Sequence, residues 1–326
     1  MSRILRLAAV FITGIVFLSG CQNSPKKGQA TATAVKAVKT PTTPTKVPVN
    51  TLASYQALAK KGDAAGQYQL ALMYFKGAQG ASQDVNKAAT WFRASAKQGY
   101  KPAIVAMITI LRGKKNNANE FMQWLQKLAQ MGDAGGQTDL GSAYLNGVGV
   151  AKDFNQAFLW LSKAVAQGNP NAQYALALMY KQGYGVKVDY LKAANLLLNA
   201  ALQGDVKSQN DLATMYQHGQ GIKKDMEQAL QWYQRAANQG LAVAQANLGI
   251  IYINGKDVTR DNKKAFKWMQ LAAAQGLALA ERIVGQMYAL GSGVAVNKAE
   301  AKKWLQKAVA HGDKQAQILL NKVSGS

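Results

Sequence analysis

Residues 132–167, GDAGGQTDLGSAYLNGVGVAKDFNQAFLWLSKAVAQ, decide the fold. Leu140 and Tyr144 are four apart and share one face of a helix; Ala157 and Trp160, three apart, do the same further on. Between them stands Gly147-Val-Gly149, and a glycine just past a helix end supplies the positive φ that a C-terminal cap needs. Asp153 follows where the second helix should begin, so its carboxylate can accept backbone N–H bonds and complement the helix dipole. The stretch reads as two short amphipathic helices joined by a glycine turn.

The same unit returns along the chain. Gly132, Gly168, Gly204, Gly240, Gly276 and Gly312 are each 36 residues apart, and Gly99 and Gly62 precede them at spacings of 33 and 37. A fixed period in this range is the signature of a solenoid. Eight residues after each leading glycine comes Leu70, Met107, Leu140, Leu176, Leu212, Leu248 or Val284, and four further on usually a tyrosine. In the second halves Ala229 and Trp232, Ala265 and Trp268, and Ala301 and Trp304 repeat the Ala157/Trp160 stripe, while Leu196 takes the tryptophan's place in one copy. Glycine pairs recur at Gly183/Gly185, Gly219/Gly221 and Gly291/Gly293, followed by Asp189, Asp225 and Asn297; Asp261 holds the same place. One copy cannot bury its apolar faces alone, so neighbours must stack and the ends need caps. Thr51–Lys61 reads as an unpaired second helix at one end and Asp313–Val323 as a lone first helix at the other.

Taken together, A-x-x-x-L-[GA]-x-x-Y-x-x-G-x-G-V-x-x-D-x-x-x-A-x-x-W-[YL]-x-x-A-A-x-Q-G resembles the Sel-one-like repeat, a longer relative of the tetratricopeptide repeat. The resemblance runs from residue 62 to about 322. It implies an all-α fold, a right-handed superhelical solenoid of helix-turn-helix repeats over residues 51–326, with about seven copies and capping helices. The copy from Gly99 to Met131 departs from the pattern, with Arg112-Gly-Lys-Lys-Asn-Asn for the glycine turn, but Phe121, Trp124, Leu125 and Leu128 still fall on one helical face.

Residues 1–20 have the order of a secretory signal peptide: Arg3 and Arg6, then an uncharged stretch from Leu7 to Gly20. That stretch is short for a bilayer span. Leu18-Ser-Gly-Cys21 is similar to the bacterial lipobox, which implies lipidation of Cys21 and membrane attachment; the alternative is an ordinary signal peptide that contains a cysteine. Cys21 is the one cysteine, which suits lipidation better than redox chemistry. Gln22 in the place after it implies, by the same resemblance, export to the outer membrane. Residues 21–50, with Pro25, Pro41, Pro44 and Pro48 among Thr, Ala and Lys, read as a disordered tether.

The net charge is +23. A solvated basic ridge and adhesion to anionic polymer or lipid are both open readings of it. Lys223-Lys224, Lys263-Lys264 with Lys267, and Lys302-Lys303 with Lys307 are expected early or midway on second helices. Nucleic acid is disfavoured, because the aromatics it would stack on lie on the core stripe and the leader sends the chain out of the cytoplasm. His218 and His311 stand in different copies without paired carboxylates, so neither a metal site nor a cofactor is indicated. The G-x-G turns follow helices and not strands, which separates them from a dinucleotide fingerprint. No nucleophile recurs with a plausible base, and the chain reads as a non-enzyme.

Helix-pair solenoids bind extended segments in the groove of their first helices. Positions 3, 6, 10, 13 and 14 after each leading glycine lie off the Leu/Tyr stripe and are expected to face it. They give Tyr68 and Lys76, Thr138 and Asn146, then Tyr174, Lys181 and Gln182. Further along they give Lys207, Asn210, Gln217 and His218, then Arg282 and Gln286. Plain solvated helix positions are the competing reading of each. The expected role is a membrane-anchored scaffold for other proteins in the bacterial cell envelope, with peptidoglycan or an anionic exopolysaccharide as the alternative partner. Cys21→Ser is expected to release the chain from membranes; unchanged membrane fractionation would contradict the lipobox.

Overall fold

The aspartates and the asparagine that read as helix starts cap helix N-termini, and the glycines that read as stops close helix C-termini. The computed structural model describes residues 51–113 and 115–325, and among these the chain is helical without a strand. The leader, Cys21 and the tether lie outside the described residues. The first helices are α1 (Leu52–Lys60), α2 (Ala64–Lys76), α3 (Val85–Lys97), α4 (Lys101–Leu111) and α5 (Ala118–Gln130). Then come α6 (Ala134–Asn146), α7 (Phe154–Ala166), α8 (Pro170–Gln182), α9 (Tyr190–Leu202), α10 (Val206–His218) and α11 (Met226–Asn238). The chain ends with α12 (Ala242–Asn254), α13 (Asn262–Ala274), α14 (Ala278–Leu290), α15 (Lys298–Ala310) and α16 (Lys314–Gly325). Two compact units result, one reaching to Leu128 and one beginning at Ala129, so the boundary falls within α5. Within each unit, successive helices pack as an antiparallel-pair solenoid.

The turns explain the period. The first turn glycines, from Gly77 to Gly291, are left-handed with φ of 63–74°, and each closes a first helix by donating its N–H four residues back. Asp153, Asp189, Asp225, Asp261 and Asn297 cap the second helices, their side chains accepting the backbone N–H three residues on. Caps of first helices were not singled out in the sequence: Asp133, Asn169 and Asp205 accept the N–H bonds of Gly136, Ala172 and Ser208 at 2.8, 3.1 and 2.7 Å. Leu241 and Leu277 stand in that position without a capping bond.

The core stripe is shifted from the expectation. Tryptophan was placed in the core, yet Trp91, Trp160, Trp268 and Trp304 are only half-buried, and Trp124 and Trp232 alone fall below 9% exposure. The residue after the tryptophan is deepest: Leu161, Leu197, Tyr233, Met269 and Leu305 are 0–1% exposed. The reason lies on the facing helix. A Cβ built at Gly141, Gly249 or Gly285 would come within 2.7, 2.7 and 2.8 Å of Leu161, Met269 and Leu305. The small residue lets the two helices close on that side chain, and the indole is left at the flank with a cation over its face. Lys163, Arg235 and Lys307 lie 4.2, 4.5 and 4.2 Å from the rings of Trp160, Trp232 and Trp304.

A second tie links the helices of each copy. Buried Gln67, Gln137, Gln173, Gln209 and Gln245 accept from the side-chain amides of Gln98, Gln167, Gln203, Gln239 and Gln275 at 2.7–3.0 Å. Four of the buried amides, at Gln67, Gln137, Gln209 and Gln245, donate in turn to Ala59, Ala129, Ala201 and Ala237 carbonyls of the preceding helix at 3.1–3.3 Å. In the last copy the rung is Glu281 with His311, 2.7 Å apart.

The irregular copy keeps its apolar face, with Phe121, Trp124, Leu125 and Leu128 all buried. In place of a rung, Arg93 forks onto Glu120 at 2.7 and 3.1 Å, and Lys127 donates to the Ala96 and Lys97 carbonyls. Lys223 and Lys224 were expected on a second helix but precede its Asp225 cap and lie in the turn. Trp232→Ala is expected to cost about 3–5 kcal/mol, read from chemical unfolding, with less than 1 kcal/mol contradicting the stacked core. Gln209→Ala removes both bonds of one rung, leaving the Ala201 carbonyl with the Gly204 N–H alone; about 1–3 kcal/mol is expected, and an unchanged unfolding midpoint would contradict the tie.

Candidate interaction surface

The first helices carry the positions expected to bind, and their side chains sort by depth. In the first unit, Tyr68 is half-buried between Phe92 and Tyr100, with ring centroids at 5.6 and 5.4 Å, while Lys76 is exposed. Burial, and then the neighbouring Tyr100, raise the Tyr68 hydroxyl above its ordinary pKa. In the second unit Asn146, Gln182, Lys207, His218 and Gln286 are exposed, and Tyr174, Lys181, Gln217 and Arg282 are half-buried.

Two positions depart from the expectation. Thr138 and Asn210 are buried, at 6% and 8% exposure. Thr138 turns its hydroxyl back to the Ala134 carbonyl at 2.7 Å, as helical threonines do, and presents nothing outward. Asn210 is covered by the next first helix, from which the Asn247 side-chain amide donates to its Oδ1 at 3.1 Å. Arg282 is paired with Asp313 at 2.8 Å, so it ties the last copy to α16.

The best-organised part of the surface runs across α8, α10 and α12. Its centre is Asp211, a residue that the spacing did not single out. Asn210 donates to Asp211 Oδ1 at 3.1 Å, and Lys181 Nζ lies 3.7 Å from Oδ2. Burial, with Asp211 and Asp205 adding negative potential, pushes the Tyr174 hydroxyl up to about 12, so it stays a neutral donor. Nearby, the Tyr233 hydroxyl donates to Gln217 Oε1 at 2.9 Å and lies 2.9 Å from the Thr214 hydroxyl. The one clue to Asp211 in the sequence is its opposite sign, 30 residues after Lys181 on the neighbouring first helix.

This arrangement offers fixed hydrogen-bond donors and acceptors at one repeat's spacing. It brings Tyr174, Lys181 and Asn210 together, and Gln217 beside His218. Among the described residues, no three of His, Cys, Asp and Glu gather where a metal ion would need them.

Comparison with known proteins agrees with this construction. The profile of the Sel1 repeat matches residues 64–100, 113–133, 134–169, 170–205, 206–241, 242–277 and 278–313. Among solved structures, a Sel1 repeat protein from Oxalobacter formigenes is 31% identical, with a TM-score of 0.74 over 83% of this chain and 79% of its own. Another is c5321 of uropathogenic Escherichia coli, described as a protective antigen with an SLR fold. It is 29% identical with a TM-score of 0.56, over 84% of this chain and 67% of its own. No curated protein sequence matches significantly. The seven copies leave little of the helical region outside the pattern, and the chain belongs to the Sel1 repeat family.

Proposed function

We propose that the chain is a membrane-anchored scaffold that gathers other proteins in the bacterial cell envelope. Repeats of this family mediate protein–protein contact in general. The observation that carries the reading is the polar face of α8, α10 and α12, where Asp211 fixes Lys181 and Asn210 before any partner arrives. Preorganised polar groups lose little freedom on binding, so a face of this kind suits an extended backbone laid across neighbouring copies. The Escherichia coli relative's description as a protective antigen supports an envelope address. The leader and Cys21 supply the attachment in this reading.

The rival partner, peptidoglycan or an anionic exopolysaccharide, draws on the basic surplus and on polar first-helix positions that suit sugar hydroxyls as well as peptide backbone. Several of the lysines are held by neighbours within the protein. Lys224 lies 3.0 Å from Asp257, Lys264 3.5 Å from Asp261 and Lys303 3.2 Å from Glu300, while Lys307 covers Trp304. Exposed pairs of this kind contribute little stability, and they fix where these lysines sit while leaving the net charge of +23 as it is. The protein scaffold is preferred because Asp211, Lys181 and Asn210 give it a fixed face, which net charge alone does not supply.

Residues 50–326, immobilised, are expected to retain a specific protein from solubilised envelopes. Gln182→Glu with Lys207→Glu, both on exposed first-helix positions, should weaken that capture at least tenfold without shifting the melting temperature. Retention of purified sacculi at high salt, with no protein captured, would overturn the scaffold reading in favour of its rival.

A further inference from the structure

The second glycine of three G-x-G turns seals the seam between neighbouring copies. Gly185, Gly221 and Gly293 have φ of 67, 69 and 75°. A Cβ on them would lie 2.5 Å from Phe154, 2.4 Å from Tyr190 and 2.0 Å from the Asn262 carbonyl oxygen. Those three residues begin α7, α9 and α13, the second helices of the preceding copies. The turn backbone thus presses on the preceding helix start, and only glycine allows it.

In two copies the first turn glycine is kept and the second is replaced, and a cavity lies at each of these turns. Gln79 occupies the position in the first copy, at φ 57°, beside a cavity of about 290 Å³ lined in part by Tyr55 and Leu72. Asp257 occupies it in the copy from Gly240, and there a cavity of about 220 Å³ lies against Met226, the first residue of α11. At both places the residue that stands for the glycine is part of the cavity's lining.

The second cavity has the chemistry of a receptor. Its cationic side is Lys224 and Lys256, with the His218 imidazole beside them, against the single carboxylate of Asp257. Among the described residues neither His218 nor Lys256 is hydrogen-bonded or ion-paired, and both are exposed. Met226 and Ile251 give an apolar wall for methylene groups. Gln217 and Asn254 complete the lining; the Gln217 carbonyl already accepts from Tyr233, which leaves its NH₂ to donate. No Trp, Tyr or Phe ring lines the space to support a sugar face, and no arginine fork is there for a phosphate. Resting on the protein-partner reading above, we infer that this cavity takes the side chain of a glutamate presented by an extended partner segment. The carboxylate meets Lys256 and His218, the methylenes meet Met226 and Ile251, and the flanking amides meet Gln217 and Asn254.

His218 and His311 are the only two histidines, so their ring proton resonances report the cavity and a distant control in one NMR spectrum of the full chain. Titration with acetyl-Gly-Glu-Gly-amide is expected to shift His218 to saturation and leave His311 still, and the Gln analogue should do neither. Asp257→Gly, which restores the sealing residue, should weaken the peptide at least tenfold and raise the melting temperature. Lys256→Ala, which leaves the backbone alone, should weaken it at least threefold. An unchanged titration in Asp257→Gly, parallel movement of His311, an equal response to the Gln peptide, or tighter binding of glucuronate would each overturn the assignment. If Asp257→Gly also leaves envelope-protein capture intact, the scaffold stands and this site alone falls.

Discussion

A buried primary amide must be satisfied at both ends, and the array is built around that requirement. The glutamine five residues after the leading glycine is only 4–7% exposed in the copies that have it. An unpaired amide there would carry a desolvation penalty of about 1–3 kcal/mol. Its carbonyl takes a bond from the glutamine that ends the second helix of its own copy, and its NH₂ generally reaches a carbonyl of the copy before. One side chain thereby fixes three segments from two copies. Both partners sit at fixed places relative to the leading glycines, and the rung partners are 30 residues apart in the 36-residue copies and 31 apart in the 37-residue first copy. The copy from Gly99 confirms the logic by contrast. Ile104 stands at the fifth position and Met131 before the next glycine, so neither half of the rung exists. That copy is shorter, is tied by charged side chains, and contains the boundary between the two compact units.

The helices, their turns and the second-helix caps were legible because local chemistry decides them: an aspartate with free acceptors, a glycine that tolerates positive φ, an apolar residue every third or fourth place. The rungs were not. The terminal glutamine belongs to the repeat pattern, but a glutamine reads as surface until a second one is brought beside it from 30 residues away. The tryptophans misled for a related reason. A large apolar side chain marks a stripe in sequence, whereas depth was decided by the absence of a side chain on the facing helix, at Gly141, Gly249 and Gly285. The Glu281–His311 rung shows how far the chemistry can change while the geometry holds: an acceptor and a ring nitrogen replace two amides at 2.7 Å.

For the surface, equal position proved a weaker guide than side-chain size and neighbours. The sixth position after the glycine holds Tyr174, half-buried within reach of Asp211, but also Thr138 and Asn210, which are covered, and Arg282, which is spent on Asp313. Reading copies as interchangeable places all four in one groove. Their differences decide which of them a partner meets, and Asp211 was missed because it lies one position away from the chosen set.

An array whose copies obeyed every rule would present the same face again and again and have no means of choosing a partner. Individuality has to enter where a rule is broken without loss of the fold. A rung cannot be broken cheaply, because it strands buried polar atoms, and the small residue facing Leu161 cannot grow without separating the helices. The second turn glycine is different: it seals an outer seam, and replacing it exposes a little apolar wall while leaving the helix-to-helix core intact. Asp257 and Gln79 stand at this most permissive point. The two cavities therefore arise where a Sel1 array can vary at least cost, and the charged lining of the second makes it the part of the surface least interchangeable with its neighbours.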